Sequence, residues 1–296
     1  MGVDTLVLSR TASSSTYVER DDELCQLARY NFELLDADVA VVHSTAEDYL
    51  HTITEGQYDW LYIDPSRRVG GNKKTTITNL EPDLCAIEQQ MLAVAPHILV
   101  KLSPMQDISE AIRTLSAVRE VHIVSVSHDV KELLVVQERG YVGEVSIVAV
   151  DLTPDAAPSV YTATSGEMHS HCAVGPVQSW LYQPQPAVVK AQLHDHQARA
   201  YGLTKLHANT QLYSSAVLRS DYSGRIFEVM GTVPMQQKAM RSVVPSGKAN
   251  IISKNHPLTP AQIAKKLKLV QGGQDYLIAV TDYAEQKVLL HCNRIQ

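Results

Sequence analysis

Through the first half of the chain, short β-branched runs alternate with amphipathic helical stretches, and nothing else in the sequence limits the fold as much. Strand-like runs occupy residues 15–19, 39–43, 58–63, 97–102, 121–126 and 145–150. Helical patterns occupy 22–35, 83–94 and about 108–118. Strands separated by helices imply right-handed crossovers. The expected fold is therefore α/β, a doubly wound and mostly parallel sheet of the Rossmann-like kind. The last two runs are candidates for an antiparallel edge.

The second half follows a different pattern. Residues 153–186, rich in Pro, Ser, Thr and Gly, read as a connector with one or two short strands, and 187–202 as helical. Residues 210–218 could form a short element before a turn at Ser223-Gly224. Strands are expected at 225–229, 250–253, 276–281 and 287–292. Thr259-Pro260 is a helix start, with a capping hydroxyl and Pro at the first helical position, and Gly272-Gly273 would end that helix. These elements predict a small α+β C-terminal domain. Charge divides along the same line. The chain has 26 basic and 32 acidic residues, of which 10 basic and 4 acidic fall in 224–296. A basic tail behind an acidic body either meets an anionic partner or is an unevenly charged solvated surface. Cys25, Cys85, Cys172 and Cys292 form no CxxC pair, so a disulfide framework or zinc site is not expected. No apolar run reaches the roughly 20 residues that span a bilayer, and no secretory leader is visible. A cytoplasmic protein without membrane partner or metal is the expectation.

In an open α/β sheet, ligands sit at the carboxyl ends of the strands. Met1-Gly2-Val3-Asp4-Thr5 reads as the end of a glycine loop entering a helix through Leu6, Val7 and Leu8. Such a turn normally follows a strand, so the natural polypeptide is expected to begin upstream. Glu19 ends the next strand, where an acid can accept both hydroxyl hydrogens of a ribose or simply be solvated. Asp64 leaves the Trp60-Leu61-Tyr62-Ile63 run straight into Pro65, followed by Ser66, Arg67 and Arg68. Its carboxylate is either a rigid group beside the ligand crevice or a loop cap. The arginines can hold a phosphate, a carboxylate or a base. Lys101 ends another apolar run, where it either pairs with Asp64 or snorkels at an edge. His194-Asp195-His196 could suggest a metal, but neighbouring residues on a helix diverge in direction. No Walker loop or GxSxG elbow occurs.

Together these residues resemble the class I S-adenosylmethionine-dependent methyltransferases. In that family a glycine loop holds the methionine part of the cofactor, an acid after the second strand binds the ribose, and an Asp/Asn-Pro-Pro-type motif after the fourth faces the acceptor. Met1-Gly2-Val3-Asp4, Glu19 and Asp64-Pro65-Ser66 look like these three motifs. The ordered set Asp64-Pro65-Ser66-Arg67-Arg68, Leu80-Glu81-Pro82-Asp83, Val100-Lys101-Leu102-Ser103-Pro104-Met105, Lys131-Glu132-Leu133, Tyr182-Gln183-Pro184, Lys190-Ala191, Lys205-Leu206-His207, Leu212-Tyr213 and Gly224-Arg225 narrows the match. It resembles a bacterial methyltransferase group that ends in a THUMP-like domain. Members generally carry a helical N-terminal region and an Asp-x-Thr-Gly-Gly loop ahead of the point where this sequence starts.

The resemblance implies a catalytic core over 1–165, a connector with a helix over 166–223 and a basic THUMP-like domain over 224–296. It implies S-adenosylmethionine as cofactor, held by Gly2, Asp4, Glu19, Asp64, and by Thr45 and Ala46 in place of an adenine-binding acid. Asp64, Arg67, Arg68 and Lys101 form the implied catalytic set, and Lys265, Lys266 and Lys268 the RNA contact. The chain has Lys101-Leu102-Ser103 where uracil C5 enzymes place a catalytic Cys, which disfavours a covalent mechanism. The implied reaction is methyl transfer to a base nitrogen in rRNA or tRNA. The alternatives are a nucleotide-dependent oxidoreductase on the same sheet, or a non-catalytic RNA-binding fragment.

Overall fold

The computed structural model describes residues 2–67, 76–154 and 156–296, with Arg67 described by its backbone alone. The chain divides into two compact units. One holds the residues up to Arg119 together with Leu134–Gly143, and the other holds Glu120–Leu133 and Glu144–Gln296.

The first unit begins with α1 (Val3–Ser9), β1 (Thr16–Glu19), α2 (Asp22–Leu34), β2 (Ala40–His43), α3 (Ala46–Thr52), β3 (Trp60–Ile63) and β4 (Ser66–Arg67). It continues with β5 (Leu80–Glu81), α4 (Leu84–Val94), β6 (His97–Leu102) and α5 (Ile108–Thr114). β1 and β2 pair in parallel, as do β3 and β6. The helices start where carboxylates or hydroxyls cap them. Asp21, Thr45, Asp83 and Asp107 each accept a backbone N–H from the first turn of α2, α3, α4 and α5. α2 buries Cys25, Ala28 and Phe32, an i, i+3, i+7 stripe. Gly2, at the start of α1, has φ +76°, and a Cβ there would meet the Phe32 ring at 2.5 Å. Conformation and space both require glycine.

β7 (Val118–Val126) and β8 (Asp129–Glu138) follow. They are joined through Ser127 and His128, both with positive φ, the conformation that a two-residue hairpin needs. The second unit adds β9 (Ser146–Leu152), β10 (Ser159–Thr164), β11 (Trp180–Pro184), α6 (Pro186–Lys190), α7 (His194–Ala200), β12 (Thr204–His207) and β13 (Thr210–Ser215). It ends with β14 (Gly224–Val233), α8 (Gln237–Val243), β15 (Lys248–Lys254), α9 (Pro260–Leu267), β16 (Val270–Gln271), β17 (Asp275–Thr281) and β18 (Lys287–Arg294). One sheet runs β12-β13-β11-β14-β18-β17-β15-β16, antiparallel apart from the parallel β15–β17 and β15–β16 pairs. α8 and α9 cover one side of it through Met240, Val244, Ile263 and Leu267, packed with Ile251, Leu277 and Leu289. Leu181, Phe227, Ile278, Leu290 and Cys292 form a separate buried cluster.

Several expectations change. The helix expected to run to 118 ends at Thr114, because Ala117 adopts positive φ and β7 already starts at Val118. Residues 121–126 and 145–150 pair in parallel as parts of β7 and β9, and β10 supplies the antiparallel edge. The 166–223 stretch holds α6 and α7 and three strands of the eight-stranded sheet. The helical stretch at 187–202 is two helices, broken where Gln192 takes φ 59°. α9 stops at Lys268, which is left-handed, before the glycine pair.

One buried ion pair lies in the second unit. Lys205 Nζ sits 2.9 Å from Asp195 Oδ1, with both side chains under a tenth exposed. The Tyr213 hydroxyl donates to the same carboxylate at 2.5 Å. Burial alone would raise the Asp195 pKa, but the bonds from Tyr213 and Lys205 outweigh it and hold it below the usual carboxylate range.

Candidate active site

Ile63 lies opposite Val100 in the parallel β3–β6 pair, so the two strands end side by side. Asp64 follows β3 by one residue, and Lys101 follows Val100 in β6. β6 alternates in burial: Ile98, Val100 and Leu102 are buried, and Lys101 falls on the other face with His97 and Leu99. Its ammonium lies 2.7 Å from Asp4 Oδ2 and 3.2 Å from Asp64 Oδ2. The Tyr62 hydroxyl donates to Asp4 Oδ2 at 2.7 Å. Side-chain exposure is 23% for Lys101, 45% for Asp4 and 51% for Asp64. The ammonium is thus shielded while both carboxylates stay open to a ligand.

The electrostatics follow from these contacts. Hydrogen bonds from Lys101 and then Tyr62 hold the Asp4 carboxyl below its usual range. Burial alone would lower the Lys101 pKa, but its bonds to Asp4 and Asp64 outweigh that and raise it. Burial, and then the bond to Asp4, raises the Tyr62 hydroxyl. Two carboxylates share one ammonium, so acidic groups outnumber basic ones in the cluster.

The structure therefore brings Asp4, Asp64 and Lys101 together, and it adds Tyr62, which sequence reasoning passed over. Tyr62 and Asp64 are two residues apart, and the period of two in a strand would have put them on one face. The other expected residues lie apart from this cluster in the described hydrogen bonds. Glu19 ends β1, where Oε1 accepts the Asp21 amide at 3.0 Å and Oε2 accepts the Tyr17 hydroxyl at 3.3 Å. Burial, and then the Glu19 charge, pushes Tyr17 up to about 12. Thr45 caps α3: its hydroxyl accepts the Asp48 amide at 3.1 Å and donates to the Asp48 carboxylate at 2.8 Å. Ala46 is the first residue of α3. Arg67 lies in β4, paired with Leu80, and Arg68 lies outside the described residues.

Lys265, Lys266 and Lys268 are exposed on or just after α9, and Ile263 and Leu267 are its buried face. Thr259 and Gln262 make a full capping box at its start. Among the described residues, no group of three His, Cys, Asp or Glu side chains converges as a metal set. No helix among them is long and apolar enough to cross a membrane.

Known proteins resemble this chain over most of its length. The family model described as conserved hypothetical protein 95 matches residues 2–128. A ferredoxin-like domain matches 180–222 and a THUMP domain-like model matches 224–294. A solved Porphyromonas gingivalis W83 protein, assigned there to the methyltransferases, is 32% identical. The likeness covers 100% of this chain and 75% of that one, with a TM-score of 0.91. Uncharacterized S-adenosylmethionine-dependent methyltransferases of two Mycobacterium tuberculosis strains, CDC 1551 and H37Rv, are each 22% identical over 95% of this chain and 75% of their own length. These likenesses favour methyl transfer over the oxidoreductase alternative. The chain belongs to the S-adenosylmethionine-dependent methyltransferases that carry a C-terminal THUMP-like domain.

Proposed function

We propose that this enzyme methylates a base nitrogen in RNA. One observation carries the reading: a single chain combines the strand-end carboxylate cluster of Asp4, Asp64 and Lys101 with a THUMP-like match over 224–294 that exposes Lys265, Lys266 and Lys268.

The residues fit the cofactor by their chemistry. S-adenosylmethionine, when bound, supplies an electrophilic methyl group on a positively charged sulfur. The acid-rich Asp4–Lys101–Asp64 cluster favours a cationic ligand. Glu19 has two of its four or so acceptor positions filled, by Asp21 and Tyr17, and two remain for a ribose diol. Gly2 and Asp4 enter from the start of α1. Thr45 has its hydroxyl committed to a cap, so it and Ala46 would contribute backbone and apolar contact to the adenine.

Asp64 orients the acceptor. Its Oδ2 faces Lys101, so Oδ1 is the atom that accepts a proton from the base nitrogen. Lys101 holds that carboxylate in place, and Tyr62 with Lys101 holds Asp4. Arg67 and Arg68 bind a phosphate or stack on the base. Catalysis then rests on positioning and fixed charge.

The test is transfer of labelled methyl from S-adenosylmethionine into bacterial rRNA and tRNA, with the product nucleoside identified by mass spectrometry. The expected product is an N-methylated base. Asp64→Asn should keep most of the cofactor affinity and lower transfer by roughly 10²–10⁴-fold, the range for removing a positioned proton acceptor. A C-methyl or ribose-methyl product, or label that enters only protein, would overturn the reading.

A further inference from the structure

A cationic group in the second unit takes no part in the site above. Arg225 lies on β14, directly opposite Gln183 of β11. Two residues along β14, Phe227 lies opposite Arg294 of β18. Residues two apart on a strand share a face, so Arg225 and Arg294 are diagonal neighbours on one side of the sheet. The end of β18 is fixed there, because the Ile295 amide donates to the Ile226 carbonyl at 3.0 Å and the Ile226 amide donates to the Gln296 carbonyl at 3.2 Å. His128, at the tip of the β7–β8 hairpin, is brought toward them through β9 and β10: Ser159 of β10 lies opposite Asp151 of β9, and its hydroxyl bonds that of Ser223, two residues before Arg225, at 2.5 Å. The tip is anchored by the Ser127 amide, which donates to the Leu152 carbonyl at 3.0 Å.

The three groups feel one another. Burial, and then the Arg225 guanidinium, lowers the His128 pKa, with Arg294 adding to the effect. Burial, and then the charge of Arg294, lowers Arg225 itself. The nearby carboxylate is Asp151, which is buried and accepts hydroxyl hydrogens from Ser125 and Thr153. Among the described residues, no carboxylate lies within ion-pair distance of Arg225. Next to it, the Gln183 side-chain oxygen is buried without a hydrogen-bond partner among those residues. Two guanidiniums and an imidazole are thus grouped with one side-chain carboxylate, and Arg294 Nε donates besides only to the Gln296 main-chain oxygen, at 2.9 Å, among the described contacts. An unpartnered acceptor sits beside them.

We propose that Arg225, Arg294 and His128 form a phosphate-binding site, with the Gln183 oxygen taking a hydrogen from a hydroxyl or amine of the same ligand. Guanidiniums suit this because their fork matches two phosphate oxygens, and an ester of a ribose would bring the donor that Gln183 lacks. The phosphodiester of an RNA strand and free phosphate share this chemistry. The identification with RNA rests on the function proposed above, and the phosphate site itself does not. The site is separate from the α9 lysines, which lie on the element that packs against Ile251 and Leu277.

The test uses the full chain and two probes. Inorganic phosphate is titrated while the His128 ring signal is followed by NMR, assigned by its disappearance in His128→Gln. A labelled single-stranded RNA oligonucleotide is bound over a range of salt. Phosphate should move the His128 signal and raise its midpoint, and Arg294→Gln or Arg225→Gln should abolish the response. Arg294 is exposed at a strand end, so its replacement leaves the fold intact even if that of Arg225 does not. Each variant should weaken RNA binding about tenfold and reduce the salt slope by about 0.7. A His128 signal that ignores phosphate in the millimolar range overturns the site. If phosphate moves it and the RNA slope is unchanged in both variants, the site stands and its ligand is free phosphate. If the oligonucleotide does not bind while phosphate still moves His128, the RNA reading fails and the phosphate site stands.

Discussion

Replacing Lys101 by Met keeps the stem of the side chain and removes its charge. The change removes one bond of 2.7 Å to Asp4 and one of 3.2 Å to Asp64. Both carboxylates are about half exposed, so screening limits each pair to the roughly 0.2–1 kcal/mol of solvent-facing pairs. The shielded ammonium puts the Asp4 bond near the top of that range, for a total of about 1–1.5 kcal/mol. In a unit of this size that is a drop of about 2–6 °C in the melting temperature. The pH dependence is also fixed. The Asp4 pKa is depressed, so its contribution is present above the unfolded value of about 3.9 and is lost as pH falls through the folded value. The Lys101 pKa is raised, so its contribution is fully present below its unfolded value of about 10.4 and is lost as pH rises through the folded value. The stability difference between wild type and variant should therefore stay constant from about pH 5 to 9 and shrink at both extremes. Chemical denaturation of wild type, Lys101→Met, Asp4→Asn and the double variant across that range gives the coupling directly, with about 0.5–1 kcal/mol expected. A coupling within experimental error, or a difference that changes between pH 6 and 8, would refute the ion-pair account of this cluster.

Changing Lys265, Lys266 and Lys268 together to Glu should weaken RNA binding and flatten its salt dependence by up to about 0.7 for each phosphate no longer neutralised, with cofactor affinity unchanged by calorimetry; an unaltered slope would make that face of α9 a solvated surface. Asp195→Asn should destabilise the second unit by about 3–5 kcal/mol in denaturant melts, since it leaves the buried Lys205 charge without its partner. The apolar pair Asp195→Leu with Lys205→Met should recover part of that stability, and a pair that does worse than the single change would show that the polar contacts carry the packing.

The strand-end rule made Asp64 and Lys101 legible from the sequence, because a carboxylate before Pro65 and a lysine inside an apolar run both stand out against their strands. Asp4 was legible as a residue of the glycine loop, but not as their partner. Asp4 joins them through α1, from nearly a hundred residues away along the chain, and only the packing of that helix fixes the contact. β8 escaped notice for a different reason. Lys131, Glu132, Leu133 and Leu134 are good helix formers, and the hairpin depends on Ser127 and His128 taking a conformation that glycine or asparagine usually supplies. Asp195 was visible beside two histidines, where a metal was considered and set aside because neighbouring residues on a helix diverge. Its lysine and tyrosine partners come from β12 and β13, where no local spacing announces them.

The eight-stranded sheet has a consequence for how the chain reaches its native state. One of its inner strands, β14, is flanked by β11 and β18, the first and last strands of that sheet in chain order. Neither neighbour can be in place until the intervening elements have been threaded past it, so the sheet has high contact order and should form late and slowly. On the ribosome, β11 and β14 would emerge well before β18 and expose an unpaired edge until β18 arrives. In this protein the interval of greatest aggregation risk is the one between the emergence of β14 and that of β18.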